Sequence, residues 1–260
     1  DSFADGGAHA DTDSALRHCE RLLKDGAQLL DIGGESTRPG SPPLPLAEEL
    51  ARVLPVLRGA VQLGVPVSID TYKPEVMQAA LDLGVDIVND VWALRQPGAT
   101  AVVARHPSCG VCLMHMHGDP ATMQNAPMTG DAVPQVLQFL ELRAQALQAL
   151  GVEKHRIVLD PGIGFGKTVA QNFSLLARQR ELLAAGWPLL VGWSRKSSIG
   201  AALQGDAPAP PPPAERVLGS VAAALLAVER GARIVRVHDV RETVQALAVW
   251  RQARQTLLKS

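Results

Sequence analysis

The sequence holds 260 residues, 47% of them hydrophobic but only 3% aromatic, with a formal net charge of -1. That length suits a single α/β barrel of about 250 residues. The scarcity of aromatic rings argues against base-stacking surfaces, the near-neutral charge argues against a broad pull toward nucleic acid or acidic membranes, and no apolar stretch approaches the ~20 residues that span a bilayer.

The chain opens on a loop-like DSFADGGAH and passes into a helical pattern over 13–25. Seven apolar runs of strand length follow, and each ends in a polar cluster: QLLDIGGESTR, VPVSIDT, DIVND, GVCLMHMH, RIVLDPG, PLLVGWSRKS and RIVRVHD. Between them the spacing predicts helices over 46–63, 74–82, 98–106, 131–150, 168–185, 214–230 and 240–258. The segment from Asp131 shows the pattern well, with an aspartate N-cap, a stripe of Val133, Val136, Leu137, Leu140, Leu147 and Leu150, and Gly151 as a stop. Pro55 removes a backbone donor and is expected to kink or divide its helix. DAPAPPPPAE, near Pro210, reads as an extended, passive loop.

Strand and helix alternate throughout, which predicts an α/β fold, a (β/α)8 TIM barrel, as one domain over 1–260. Seven strands stand against eight helices, so the expected first strand would precede Asp1 and the sequence reads as N-terminally truncated. Three cysteines and no signal peptide favour a reducing cytoplasm. Cys109 and Cys112 form a lone CxxC, read as ordinary thiols because structural zinc needs four ligands.

Parallel barrels gather the C-terminal ends of their strands on one face, where their chemistry is done. Asp70, Asn89, Asp160 and Lys196 stand at four separate run ends. Two carboxylates, an amide and a cation suit a flat, nitrogen-rich ring, with the carboxylates accepting from amino and ring N–H groups. Singly, each is as well explained as a cap or an ion-pair partner. Arg236 and His238, two residues apart, would share a strand face and grip an anion, unless Arg236 pairs with Asp239 or another carboxylate. Asp239 itself is a candidate cap for the following helix.

GGESTRPG reads as a mobile loop in which Thr37 offers a hydroxyl and Arg38 a cation for a carboxylate or a leaving phosphate. In DPGIGFGK the glycine spacing fails the dinucleotide fingerprint. Gly162, Gly164 and Gly166 instead let the backbone approach a ligand while Phe165 packs against it. His115 and His117 form HxH, placed on the fifth strand of the barrel, but no third metal ligand has convincing spacing.

These clusters, in this order and over essentially the whole chain, resemble the dihydropteroate synthase family, folate-pathway transferases with a TIM-barrel fold. DSFADGG, GGESTRPG, SIDT, VND, LMHM, DPGIGFGK, SRKS and RVHD carry the resemblance. It implies condensation of 6-hydroxymethyl-7,8-dihydropterin diphosphate with p-aminobenzoate, releasing diphosphate with the help of Mg2+. By the same resemblance Asp70, Asn89, Asp160, Phe165 and Lys196 would bind pterin, and Arg236 and His238 diphosphate. Phe3, Thr37, Arg38, Pro39 and Ser197 would frame p-aminobenzoate. Asp5, Arg38, Lys196 and Arg236 would be catalytic, Asp5 by stabilising positive charge on the pterin methylene.

The resemblance further implies a homodimer, sulfonamide inhibitors and a cytoplasmic location. The family's Asn-Val-Thr-Pro motif, whose asparagine serves magnesium and diphosphate, would lie before Asp1, so the metal ligands stay unknown. His117 stands where the family has glutamine. A methyltransferase domain that binds methyltetrahydrofolate would share the pterin residues but have less use for Arg236 and His238, and a catalytically dead partner subunit would have no need to keep Lys196, Asp160 and Arg236 together.

Overall fold

The computed structural model describes residues 8–36, 42–119, 122–123 and 125–257. Helix α1 (Ala8–Lys24) leads into β1 (Leu30–Ile32), and strand and helix then alternate. In order come α2 (Leu46–Ala60), β2 (Val67–Asp70), α3 (Pro74–Asp82), β3 (Ile87–Asp90), α4 (Ala99–Arg105), β4 (Gly110–Met114), α5 (Ala132–Ala149) and β5 (Ile157–Asp160). They are followed by α6 (Val169–Ala177), α7 (Gln179–Leu182), β6 (Leu190–Val191), α8 (Ser197–Leu203), α9 (Val217–Glu229), β7 (Ile234–Val235) and α10 (Val240–Leu257).

β1 to β5 form one parallel sheet in chain order, β6 pairs with β7 in parallel, and a parallel bridge from Leu159 to Leu189 joins the two groups. β2 to β5 are largely buried on both faces, as parallel strands under helices must be. Ile69, Val88, Val111, Leu113, Ile157 and Leu159 are essentially inaccessible and pack in one core with Leu57 and Ala60 of α2, Met77 and Ala80 of α3, and Leu140, Ala144 and Leu147 of α5. Residues of opposite parity point inward. Strand pairing places Asp70, Asn89, Cys112 and Val158 in one row, and Met114 and Asp160 one row nearer the strand ends. Arg236, just past β7, reaches carboxylates within β1 and at the end of β2, so β7 comes round toward β1 and β2. Between β7 and β1 a cavity of about 1700 Å³ runs inward, lined among others by Cys19, Asp31, Ser68, Asn89, Cys112 and Arg236. The architecture is the expected TIM-type barrel, with seven strands among the described residues.

Several helix limits differ from expectation. Pro55 does not divide α2, because the buried stripe of Val53, Val56, Leu57 and Ala60 holds the helix together on either side of the lost donor. The predicted 168–185 helix breaks at Arg178 into α6, α7 and a 3-10 turn ending at Gly186. Helix α8 was not predicted; only seven residues long, it follows β6 inside what reads as a polar cluster. DAPAPPPPAE runs without regular structure until a 3-10 turn at Pro213–Arg216, so α9 starts three residues later than predicted.

The start of α6 is set by a capping box, in which Thr168 accepts from the Gln171 amide at 3.2 Å and the Gln171 side chain accepts from the Thr168 amide at 2.9 Å. Thr168→Ala is expected to lower stability by about 1 kcal/mol. Urea unfolding should show a lower midpoint at an unchanged slope.

Candidate functional site

The strand ends carry the polar cluster because an inward-pointing residue at the end of a buried strand leaves the packed core and meets a loop-walled cavity. Asp31 in β1, Asp70 in β2 and Asn89 in β3 are such residues, and Arg236 joins them. Its Nε donates to Asp31 Oδ2 at 2.6 Å and its Nη2 to Asp70 Oδ2 at 3.0 Å, while Asn89 Nδ2 donates to Asp31 Oδ2 at 3.2 Å. Arg236 thus pairs with carboxylates other than Asp239, which takes a two-pronged ion pair from Arg195. Asp31 Oδ1 is buried and has no hydrogen-bond partner among the described residues.

A second group forms on the far side, where β5 runs into the glycine-rich loop. Asp160 accepts from the Gly162 amide at 2.7 Å, and Lys196, at the N-terminus of α8, donates to the Ile163 carbonyl and lies 4.7 Å from the centre of the Phe165 ring. Two glycines are obligatory here. Gly162 and Gly166 have φ of +65° and +67°, and a Cβ on either would fall 1.9 Å from the His115 carbonyl oxygen and 2.3 Å from that of His117. Lys167, buried, donates to the carbonyls of Gly162 and Phe165 and so holds the loop closed from behind.

The electrostatics follow from burying many charges together. Burial and the neighbouring Asp31 carboxylate push Asp70 up to about 7, against the pull of Arg236. Asp160 is raised by burial, offset by Lys196. Lys196 is pushed down to about 8 by burial, against the attraction of Asp160. Arg236 is held above its ordinary value, chiefly by Asp31. A cluster of two cations and three carboxylates, one of them close to neutrality, can both donate to and accept from an uncharged heterocycle.

Arg236 therefore contacts Asp70 directly and is linked to Asn89 through Asp31, while Asp160, Lys196 and Phe165 form a second group within electrostatic reach of the first. His238 does not share a strand face with Arg236, since β7 ends at Val235; its Nδ1 lies 2.9 Å from Ser194 Oγ, and burial with Arg236 nearby lowers its pKa to about 4. Ser197 is exposed as the first residue of α8. Phe3, Asp5, Thr37, Arg38 and Pro39 lie outside the described residues. β4 ends at Met114, so HxH lies beyond its strand: His115 is buried edge-on against Phe139 and His117 is exposed. Among the described residues no group of three His, Cys, Asp or Glu side chains could hold a metal. Sequence reasoning passed over Asp31, although it stands inward at the end of its run as Asp70 does.

The family model described as "pterin binding enzyme" matches residues 1–238. A dihydropteroate synthase of Neisseria meningitidis serogroup B is 51% identical over 255 residues, spanning 96% of this chain and 88% of that protein. Among solved structures, Burkholderia cenocepacia dihydropteroate synthase complexed with 7,8-dihydropteroate is 51% identical, with a TM-score of 0.88 and coverage of 96% of this chain and 89% of that one. Yersinia pestis dihydropteroate synthase in a sulfonamide drug complex is 44% identical, with a TM-score of 0.90 and coverage of 98% and 90%.

Proposed function

The chain belongs to the dihydropteroate synthase family of pterin-binding enzymes, and we propose that the strand-end cluster described above is where its two substrates meet. The activity is transfer of the (7,8-dihydropterin-6-yl)methyl group from diphosphate to the amine of p-aminobenzoate, giving 7,8-dihydropteroate and diphosphate.

The observation that supports the site assignment is the charged network in which Arg236 holds Asp31 and Asp70, Asn89 donates to Asp31, and Lys196, beside Phe165, interacts with Asp160, Asp70 and Arg236. In this reading Asp70, Asn89 and Asp160 take the amino and ring N–H edge of the pterin, Lys196 donates to a ring acceptor, and Phe165 packs on a ring face. Arg236 exchanges its bond to Asp70 for the diphosphate, which frees that carboxylate for the pterin as the anion arrives. His238, on the rim beside Arg236, joins it on the diphosphate. The C–O bond to diphosphate breaks ahead of attack and diphosphate leaves with the electron pair, Asp5 stabilises the resulting positive charge, and the arylamine, framed by Phe3, Thr37, Arg38, Pro39 and Ser197, adds to it through nitrogen and then gives up one proton to solvent. Catalysis here is positioning and electrostatics.

Magnesium is retained in this reading as an ion carried by the diphosphate, since Mg2+ in such sites keeps most of its ligands as phosphate oxygens and water. The described residues do not by themselves make a site for it. We take 1–260 as one pterin-binding domain, supported by the single large core. Sulfonamides are assigned to the p-aminobenzoate side. Exposed Leu203, Leu218, Leu226 and Val249 on α8, α9 and α10 support a homodimer built on outer helices. Three free, buried cysteines support a reducing cytoplasm, and no described helix is long and apolar enough to cross a membrane.

Arg236→Ala tests the anion assignment. It is expected to weaken the pterin diphosphate about 10- to 100-fold, as loss of a charged partner does, and to weaken the free hydroxymethyl pterin much less. Calorimetric titration with both ligands measures the difference; equal losses would remove Arg236 from the diphosphate site.

A further inference from the structure

A second charged cluster lies beside the site, beneath the segment that leaves β1. Lys73 Nζ donates to both Glu35 and Glu49, and the three side chains are 14%, 11% and 1% exposed. Tyr72 donates its hydroxyl to the second oxygen of Glu35 at 2.9 Å, and Thr71 donates to the second oxygen of Glu49 at 2.7 Å. The ammonium also lies 4.7 Å from the centre of the Tyr72 ring. Arg52, on the same helix as Glu49, donates to the Gly34 carbonyl at 3.2 Å.

Three elements are tied at this point. Glu35 belongs to the loop after β1, four residues beyond Asp31. Thr71, Tyr72 and Lys73 directly follow Asp70 of β2. Glu49 projects from α2. Lys73 is itself held, as the N-cap residue of α3, with its amide donating to Thr71 Oγ1 at 3.2 Å. A single buried cation shared by two carboxylates is an exacting joint, because removing it leaves two acids in poor solvation with only hydroxyl donors. A cluster serving stability alone would be met as well by apolar side chains of similar volume. This one instead joins the loops that follow β1 and β2, the strands whose Asp31 and Asp70 hold Arg236.

We propose that Lys73 is a positioning residue: by clamping Glu35 and Glu49 it sets where the β1 loop leaves the barrel, and so where the adjoining Thr37 and Arg38 stand relative to the pterin. This rests on the reading that Thr37 and Arg38 serve p-aminobenzoate. Lys73 touches no proposed substrate position, so its effect travels through the loop alone.

The test is steady-state kinetics on the full chain with Lys73→Met, Lys73→Arg and Glu35→Gln, beside Arg38→Ala. Lys73→Met is expected to raise KM for p-aminobenzoate about tenfold, the scale of a sub-ångström misplacement, while the dissociation constant of the pterin diphosphate stays within about twofold. Lys73→Arg should recover most of the loss, since it keeps a cation that can bridge two carboxylates. Glu35→Gln, which leaves the Lys73–Glu49 pair in place, should move the same KM in the same direction by less, and it carries the test if Lys73→Met does not fold. An unchanged KM in both variants, or an equal rise in KM and in the pterin dissociation constant, would overturn the proposal. If Arg38→Ala also leaves KM unchanged, the reading of the p-aminobenzoate site has failed; if Arg38→Ala raises it and the Lys73 and Glu35 variants do not, only the positioning role has.

Discussion

Lys196→Ala is expected to lower kcat/KM for the pterin diphosphate by about 100- to 1000-fold, the range associated with removing one charge-stabilising donor from an enclosed site. The Lys196 ammonium spans the glycine-rich loop and the pocket: it holds the Ile163 carbonyl, covers Phe165 and offsets the buried Asp160 carboxylate. Without it Asp160 rises further toward its neutral form and the loop loses one of its two lysine fastenings, Lys167 being the other. Circular dichroism should show an unchanged fold, because the core cluster lies on the opposite side of the strands.

The same residue sets an expected pH dependence. Binding as described needs Lys196 charged and Asp70 ionised. Lys196 loses its proton as pH rises through about 8, and Asp70 gains one as pH falls through about 7. The profile of kcat/KM, which reports the free enzyme, should therefore be narrow and centred between those values. Lys196→Arg, charged at every accessible pH, should remove the alkaline limb. An alkaline limb unchanged in that variant would assign it to another group.

Asp70→Asn should separate stability from function. An unfolded aspartate ionises near 3.8, whereas this one ionises at about 7 in the folded protein. Well below pH 3.8 both states are protonated and the group costs nothing. As pH rises from there to 7 the unfolded chain gives up its proton first, so the folded state loses stability, and above 7 the loss is complete. Asparagine avoids it and still offers Arg236 an acceptor. The variant is therefore expected to be more stable than the wild type at pH 8 by an amount on the order of a few kcal/mol, and so to melt higher, and to match it at about pH 3. Its affinity for the pterin should fall about 100-fold, as when a charge-assisted hydrogen bond is lost inside a pocket. Melting curves at the two pH values and a pterin titration measure both; a variant less stable at pH 8 would mean that Asp70 stabilises the empty site.

The sequence showed the alternation of short apolar runs and amphipathic stretches, and with it the parallel barrel, because each strand is buried on both faces and each helix on one. It also showed the pocket residues at the run ends, where Asp70, Asn89, Asp160 and Lys196 interrupt otherwise apolar patterns. Asp31 was hidden because a richer polar sequence, GGESTRPG, follows it and draws the eye to Thr37 and Arg38. Helix α8 was hidden for a related reason: its first residues are the polar ones of the Lys196 cluster, and seven residues are too few to show a period. The pairing of Arg236 with Asp31 spans 205 positions, and the Lys73 clamp joins residues 24 and 38 apart. No local pattern encodes partners at that separation; they follow only once the strands are placed in order.

The most direct test of the whole account is formation of 7,8-dihydropteroate from the pterin diphosphate and p-aminobenzoate in the presence of Mg2+, followed chromatographically for the wild type and Lys196→Ala side by side. Product that requires both substrates and falls about 100-fold or more in the variant is the predicted result. Product formed equally well by both proteins, or none from a wild type that binds the pterin, would contradict it.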